Sequence, residues 1–73
     1  MSQADALSKV DRAVLEVLAA RRGRVVSRAT IAREAGLGHL HPRRPDASIA
    51  AIRDVLGADA VVTVRGRGWM LAE

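Results

Sequence analysis

The sequence predicts a mainly α-helical domain with a small β-sheet, in which three helices precede a C-terminal β-hairpin. Three observations support this fold class. Apolar residues recur at intervals of three and four between residues 7 and 56, which is the pattern of helices packed on a core. Serines and glycines stand where these segments begin and end, as they do in capped helices. Near the C-terminus, two apolar runs flank a Gly-x-Gly turn, which is typical of a hairpin.

Length and composition restrict the class of protein. The 73 residues suffice for one small domain, which we expect to span 7–72 after a flexible N-terminus at 1–6. A chain near this size buries only about 60% of its unfolded surface, which leaves no room for a deep cleft beside a separate substrate domain. Cysteine is absent, so disulfides and thiolate metal sites are excluded. No apolar run approaches the ~20 residues that span a bilayer, and we predict a cytoplasmic protein with no membrane partner.

The positive charge is concentrated in the later part of the chain. The formal net charge is +4, and all but one of the 12 basic residues are arginines. The stretch from Arg21 to Arg67 holds nearly all of these arginines but only half of the acidic residues. Such an asymmetry is expected of a protein that binds a polyanion. A GC-rich coding genome would explain the preference for Arg over Lys, but it would not explain arginines at a hairpin tip and at helix starts.

The first predicted helix opens at Ser8 and ends near Gly23. Ser8 and Asp11 form a Ser-x-x-Asp sequence similar to a capping box. Arg21 and Arg22 suit the negative end of the helix dipole, and Gly23 fits a C-terminal cap. The predicted inward face of this helix comprises Leu7, Val10, Val14 and Leu18.

Two further helices are predicted before the hairpin. Ser27 caps the second helix, and Val25-Val26 before it is too short for an independent strand but could pair along a sheet edge. Pro45 fits the first turn of the third helix, which runs to about Leu56. Its predicted inward face comprises Ile49, Ile52 and Leu56, and its predicted outward face comprises Ala47, Ala51 and Asp54, flanked by Ala50, Ser48 and Val55.

Four blocks of sequence, spread over residues 7–71, carry a resemblance to a known family. They are Leu7-Ser8 with the Leu-Glu-Val-Leu run at 15–18, Gly-Arg-Val-Val-Ser-Arg at 23–28, Asp46 with Ile49, Ile52-Arg53 and Leu56-Gly57, and Thr-Val-Arg-Gly-Arg-Gly-Trp at 63–69. Together they resemble the OmpR/PhoB-type winged-helix effector domain of bacterial response regulators. The resemblance implies a winged helix-turn-helix, in which the second and third helices form the helix-turn-helix and the hairpin forms the wing.

The resemblance also implies a double-stranded DNA partner and the residues that face it. The third helix would enter the major groove, and the wing would lie on the adjacent minor groove or phosphate backbone. Pairs of domains would occupy tandem half-sites, as a homodimer. Ser27 and Arg28 would contact phosphate at the start of the second helix. The residues predicted to face DNA are Ser27, Arg28, Arg43, Arg44, Ser48, Ala51, Arg53, Arg65 and Arg67.

The outward face of the third helix departs from the family pattern. Family members often carry Arg, His or Asn there, whereas this face offers methyl groups, one hydroxyl and the carboxylate of Asp54. Bidentate base contacts, each worth about 1–3 kcal/mol of discrimination, are therefore missing. We predict a transcriptional regulator whose DNA binding rests on phosphate contacts with modest sequence readout. The alternative is a standalone module that docks on RNA polymerase or another regulator through its alanines.

The remaining candidate residues indicate neither catalysis nor a cofactor. His39 and His41 lie in a loop without further ligands at metal spacing, so no metal site is predicted. Ser27 and Ser48 lack His-Asp partners for nucleophilic catalysis, so we predict that the chain is not an enzyme. Trp69 is expected in the core rather than as a platform on which bases stack.

Overall fold

The computed structural model describes residues 7–38 and 43–72, which form three helices followed by a two-stranded antiparallel sheet. The elements in chain order are α1 Lys9–Ala20, α2 Arg28–Glu34, α3 Arg44–Leu56, β1 Val61–Val64 and β2 Gly68–Leu71. This order confirms the predicted fold class. The expected flexible segment 1–6 and the two loop histidines, His39 and His41, lie outside the described residues. None of the described helices is both long and apolar enough to cross a membrane.

Side-chain caps fix where the first two helices begin. Ser8 precedes α1, and its hydroxyl accepts a hydrogen bond from the backbone N–H of Asp11 at 3.1 Å. Ser27 caps α2 in the same way, accepting from the backbone N–H of Thr30 at 3.1 Å. Each cap satisfies an N–H group that has no partner inside the helix, and such a cap contributes on the order of 1 kcal/mol. Both predicted caps are confirmed.

The third helix has the predicted ends but a different inward face. Pro45 occupies its first turn, where a missing N–H removes no helical hydrogen bond, and Gly57 follows its last residue. The helix packs against α1 and against the hairpin. Its buried residues are Pro45, Ser48, Ile49 and Ile52. Ser48 therefore belongs to the inward face, whereas Leu56, predicted at the centre of that face, is only half-buried.

The link between α1 and α2 pairs with the hairpin. β1 and β2 are antiparallel, with Thr63 opposite Trp69. On the other edge of β2, the N–H of Val26 donates to the carbonyl of Trp69 at 2.7 Å, and the N–H of Trp69 donates back at 3.0 Å. The predicted edge pairing of this link is thus confirmed. The hairpin is held to the helical part of the domain by backbone hydrogen bonds as well as by side chains.

Gly68 permits this close pairing. Its φ of 144° lies in a region that residues with a Cβ rarely adopt. A Cβ built at this position would overlap the carbonyl oxygen of Val26 and lie 2.9 Å from the Cα of Ser27. A side chain at position 68 would therefore push the link away from β2.

An apolar core lies between the helices and the hairpin. Trp69 is only 8% exposed, which confirms its predicted place in the core. Every helix and both strands contribute to the core, so that each element depends on the others for burial. The buried apolar residues are Leu7, Val14, Val17, Leu18, Val26, Ile31, Leu37, Ile49, Ile52, Val61, Trp69 and Leu71.

Candidate nucleic-acid interface

The tip of the hairpin presents two arginines to solvent. Arg65 and Arg67 flank Gly66 in a turn closed by a hydrogen bond from the N–H of Arg67 to the carbonyl of Val64, at 2.9 Å. Gly66 has a φ of 74°, the left-handed conformation that glycine supplies in such turns. Both arginines are exposed, and neither side chain forms a hydrogen bond or ion pair within the described part of the chain. Two uncompensated guanidinium groups on a short turn suit phosphate oxygens.

Arg28 holds the start of α2 against both α3 and the hairpin. Its Nε and Nη2 donate to the two carboxylate oxygens of Asp46 at 3.0 and 2.9 Å, a bidentate arrangement. Its Cζ lies 5.3 Å from the centre of the Trp69 ring, within the range of a cation–π contact. The Arg28 side chain is 51% exposed. This one residue therefore joins α2 to α3 and to β2, and Asp46 already offsets its charge.

An open cleft of about 370 Å³ separates the start of α2 from the hairpin. Ser27 and Arg28 line one side of the cleft, and the other side includes Arg67 and Trp69. The Ser27 hydroxyl is occupied by its cap and also donates to the hydroxyl of Thr30 at 3.0 Å. The Ser27 hydroxyl is thus already engaged, and the exposed guanidinium of Arg67 supplies a positive charge on the opposite side of the cleft.

The exposed face of α3 is a stripe of small residues with a charge at each end. The exposed residues on this face follow one another at spacings of four, three and four, which places them on one side of a helix. They are Arg43, Ala47, Ala50 and Asp54. The Arg43 side chain is 78% exposed, with Nη1 3.6 Å from the Asp46 carboxylate. We call these four residues the α3 stripe. It is cationic toward the N-terminus of the helix and anionic toward the C-terminus.

Three residues predicted on or beside this face lie elsewhere, and one of them, Val55, is half-buried against the core. Ser48 has no exposed surface, and its hydroxyl donates to Asp11 at 2.7 Å. The expectation that Ser48 faces DNA is therefore corrected, because α1 covers that side of α3. Ala51 is half-buried and packs against the core, so it lies at the edge of the α3 stripe and not at its centre.

Asp11, Arg44 and Ser48 form a polar cluster between α1 and α3. Arg44 donates from Nη2 to Asp11 and from Nη1 to the Ser48 hydroxyl, both at 3.0 Å. Burial disfavours the charged form of Asp11, but hydrogen bonds with Ser48 and Ser8 and the charge of Arg44 outweigh it. The pKa of Asp11 is consequently lowered from its ordinary 3.8. The ionised carboxylate neutralises Arg44 inside the protein, so this predicted DNA-facing residue also turns inward.

Arg53 joins the second half of α3 to the hairpin. Its Nε and Nη2 donate to the carbonyl of Val61 at 3.2 and 2.8 Å, and Nη2 also donates to the hydroxyl of Thr63 at 2.8 Å. These bonds satisfy a strand-edge carbonyl and fix β1 beside α3. Arg53, which was expected to face DNA, therefore donates its hydrogen bonds to the hairpin from a partly exposed position.

Asp11 is predicted from the sequence only as part of a cap, yet the sequence also carries a signal for its larger role. Asp11 lies four residues after Leu7 and three before Val14, within the apolar stripe of α1. An acidic residue in a buried stripe needs a partner that compensates its charge. That partner is Arg44, whose identity depends on how α3 packs and is not visible along the chain.

Three helices with a hairpin packed beside a helix-turn-helix define a winged-helix domain. The chain belongs to the family described as "Transcriptional regulatory protein, C terminal", whose model matches residues 3–71. The resemblance to OmpR/PhoB-type effector domains is thereby confirmed. The domain accordingly binds DNA in transcriptional regulation, and the protein-docking alternative is not favoured.

Two solved structures illustrate the relationship. The DNA-binding domain of CpxR from E. coli is 30% identical, with a TM-score of 0.78 over 92% of this chain and 72% of that one. The DNA-binding domain of the response regulator AdeR, solved in complex with an intercistronic region, has a TM-score of 0.80 at 17% identity and the same coverage. The AdeR likeness is one of fold alone. No curated protein matches the sequence.

Proposed function

We propose that the domain binds double-stranded DNA with α3 in the major groove and the hairpin tip on the neighbouring phosphates or minor groove. The observation that carries this proposal is that Arg43, Arg65 and Arg67 stay exposed on elements that other arginines hold in place. Arg28 ties the start of α2 to α3, and Arg53 ties α3 to β1. Arg28 and Arg53 thus brace these elements, while Arg65 and Arg67 keep their guanidinium groups in solvent.

The dimensions of α3 support its placement in the groove. Its 13 residues extend about 20 Å at 1.5 Å per residue. The major groove is about 12 Å wide and admits one helix. Because Ala47 and Ala50 carry only methyl groups, the helix axis can approach the base edges closely.

The same small side chains support a weak readout of sequence. A methyl group of Ala47 or Ala50 can touch the methyl of thymine, and the carboxylate of Asp54 can accept a hydrogen bond from cytosine. None of the four residues in the α3 stripe except Arg43 can donate two hydrogen bonds to one base. Affinity therefore comes chiefly from arginine–phosphate pairs, which position the protein without identifying the base.

The location of the domain, its lack of catalysis and its partners form part of the same proposal. We expect the domain to act in the cytoplasm, to catalyse no reaction, and to bind as pairs on tandem half-sites, with RNA polymerase or another regulator as a further partner. Family membership supports these expectations. Sedimentation with a duplex of about 22 base pairs, or two helical turns, tests the pairing. We expect two domains per duplex, and a single domain at saturation would contradict the tandem arrangement.

A salt titration tests the central proposal. Fluorescence anisotropy would follow binding to a labelled random-sequence duplex at several salt concentrations. If three arginines each neutralise one phosphate, the slope of log K against log salt is about −2.7, and affinity falls about 40-fold between 50 and 200 mM. Absence of binding at the lowest salt, or binding that salt does not weaken, would overturn the proposal.

A further inference from the structure

Two adjacent arginines at the start of α3 have opposite environments. The Arg43 side chain is 78% exposed, whereas that of Arg44 is 28% exposed. Arg44 is bound from within by Asp11, whose own side chain is only 12% exposed. Ser48 accepts a second hydrogen bond from the same guanidinium. A domain that binds a polyanion therefore turns one of its cations inward, next to the surface proposed to meet the ligand.

We propose that Asp11 limits the affinity of the domain for DNA by competing with phosphate for Arg44. This inference rests on the DNA binding proposed above. A carboxylate and a phosphate are alternative ligands for a guanidinium. While Asp11 holds it, Arg44 adds no net charge to the interface and releases no counterion from DNA. A phosphate contact would require Arg44 to leave Asp11 buried without its charge partner, which is unfavourable.

A purely structural role of Asp11 predicts a different outcome. If Asp11 only fastened α1 to α3, neutralising it would weaken both the fold and DNA binding. Competition predicts opposite signs, because the Asp11→Asn variant loses an internal charge pair but releases Arg44 toward phosphate. Stability should then fall while affinity for DNA rises.

The experiment compares three variants in the random-duplex salt titration. For Asp11→Asn, we expect binding about fivefold tighter at 50 mM salt and a slope steeper by about 0.9, which corresponds to one additional phosphate contact. Glu16→Gln is the matched control, since Glu16 is exposed on the same helix and the net charge changes equally. It should leave the slope unchanged. The double variant Asp11→Asn/Arg44→Ala should lose the gain.

A second pair of variants tests the inference without changing Asp11. Arg43→Ala should flatten the salt slope by about 0.9, and Arg44→Ala should leave it unchanged. Weaker DNA binding by folded Asp11→Asn, or equal losses from Arg43→Ala and Arg44→Ala, would overturn the inference. If circular dichroism shows that Asp11→Asn does not fold, the second pair decides. Failure of the unsubstituted domain to bind any duplex would instead refute the proposed function.

Discussion

Both carboxylate oxygens of Asp46 accept hydrogen bonds from Arg28, so the N-terminal ends of α2 and α3 are joined by one bidentate ion pair. The same guanidinium lies over the ring of Trp69 in β2. The helix-turn-helix and the hairpin therefore share a contact outside the apolar core. Because the pair is partly exposed, at 51% and 32%, water and salt screen it, and its contribution must be measured.

A double-mutant cycle on Arg28 and Asp46 provides that measurement. We expect a coupling free energy of about 0.5–1 kcal/mol at low salt, at the upper end of values for exposed pairs because both oxygens are engaged. Urea unfolding of the single and double alanine variants gives the value, and the loss of the Trp69 contact cancels in the cycle. The pair of Arg21 and Glu34, joined by one 2.6 Å contact, is the comparison. A coupling near zero, or one smaller than in that pair, would show that Arg28 does not brace α2 against α3.

Substitution of Gly68 by alanine should destabilise the domain strongly. The new Cβ would overlap the carbonyl oxygen of Val26 in a conformation that alanine disfavours. We expect a loss of about 3 kcal/mol in the free energy of unfolding, since both overpacking and backbone strain contribute. Gly66→Ala is the control, because its φ is also positive but no atom lies within 4 Å of the added group. That variant should lose only about 1 kcal/mol. Equal losses would show that backbone conformation alone explains the glycine at position 68.

Acid should destabilise the domain through Asp11. Its pKa is lower in the folded protein than the ordinary 3.8, so the charged form stabilises the fold fully above that value. As the pH falls below about 4, the unfolded chain takes up the proton first, and stability declines until the folded form is protonated as well. Urea unfolding between about pH 6 and pH 2.5 should show this decline, and it should be shallower in Asp11→Asn. The exposed-site variant Glu16→Gln should decline as the unsubstituted domain does. A profile of Asp11→Asn parallel to that of the unsubstituted domain would contradict the assignment.

Removal of the two hairpin-tip arginines should weaken binding to all DNA sequences alike. For Arg65→Ala/Arg67→Ala, we expect the salt slope to flatten by about 1.8, or two phosphate contacts. Arg22→Ala/Arg24→Ala is the matched control, because it removes the same charge from a different turn. That turn contains Gly23, whose N–H donates to the carbonyl of Leu71, at the end of β2 away from the hairpin tip. Anisotropy with random and A·T-rich duplexes would separate a phosphate contact from insertion into a narrow minor groove, which favours A·T-rich DNA. Equal effects of the two double variants would indicate nonspecific attraction and not a wing contact.

The elements that could be predicted from sequence are those that depend on neighbouring residues. A serine cap and a proline in the first turn act within four residues, so Ser8, Ser27 and Pro45 identify the helix starts. The hairpin is equally local, because Gly66 and Gly68 provide its turn.

The partners of the arginines could not be predicted in this way. Arg44 and Arg53 sit at positions that the family resemblance assigns to DNA, yet they bind Asp11 and Val61. A long side chain with several donors selects the strongest acceptor within reach, and that choice depends on how the helices pack. The burial of Ser48 has the same origin, since the orientation of α3 on α1 sets which of its residues are covered.

The hydrogen bonds between Val26 and Trp69 have a consequence for protein engineering. A hairpin transplanted from a relative would have to bring the link before α2 with it, because the backbone of that link and Gly68 are shaped to fit each other. The α3 stripe carries no such constraint at Ala47 and Ala50, whose methyl groups face outward. New DNA-sequence preferences are therefore easier to install on α3 than by exchanging wings.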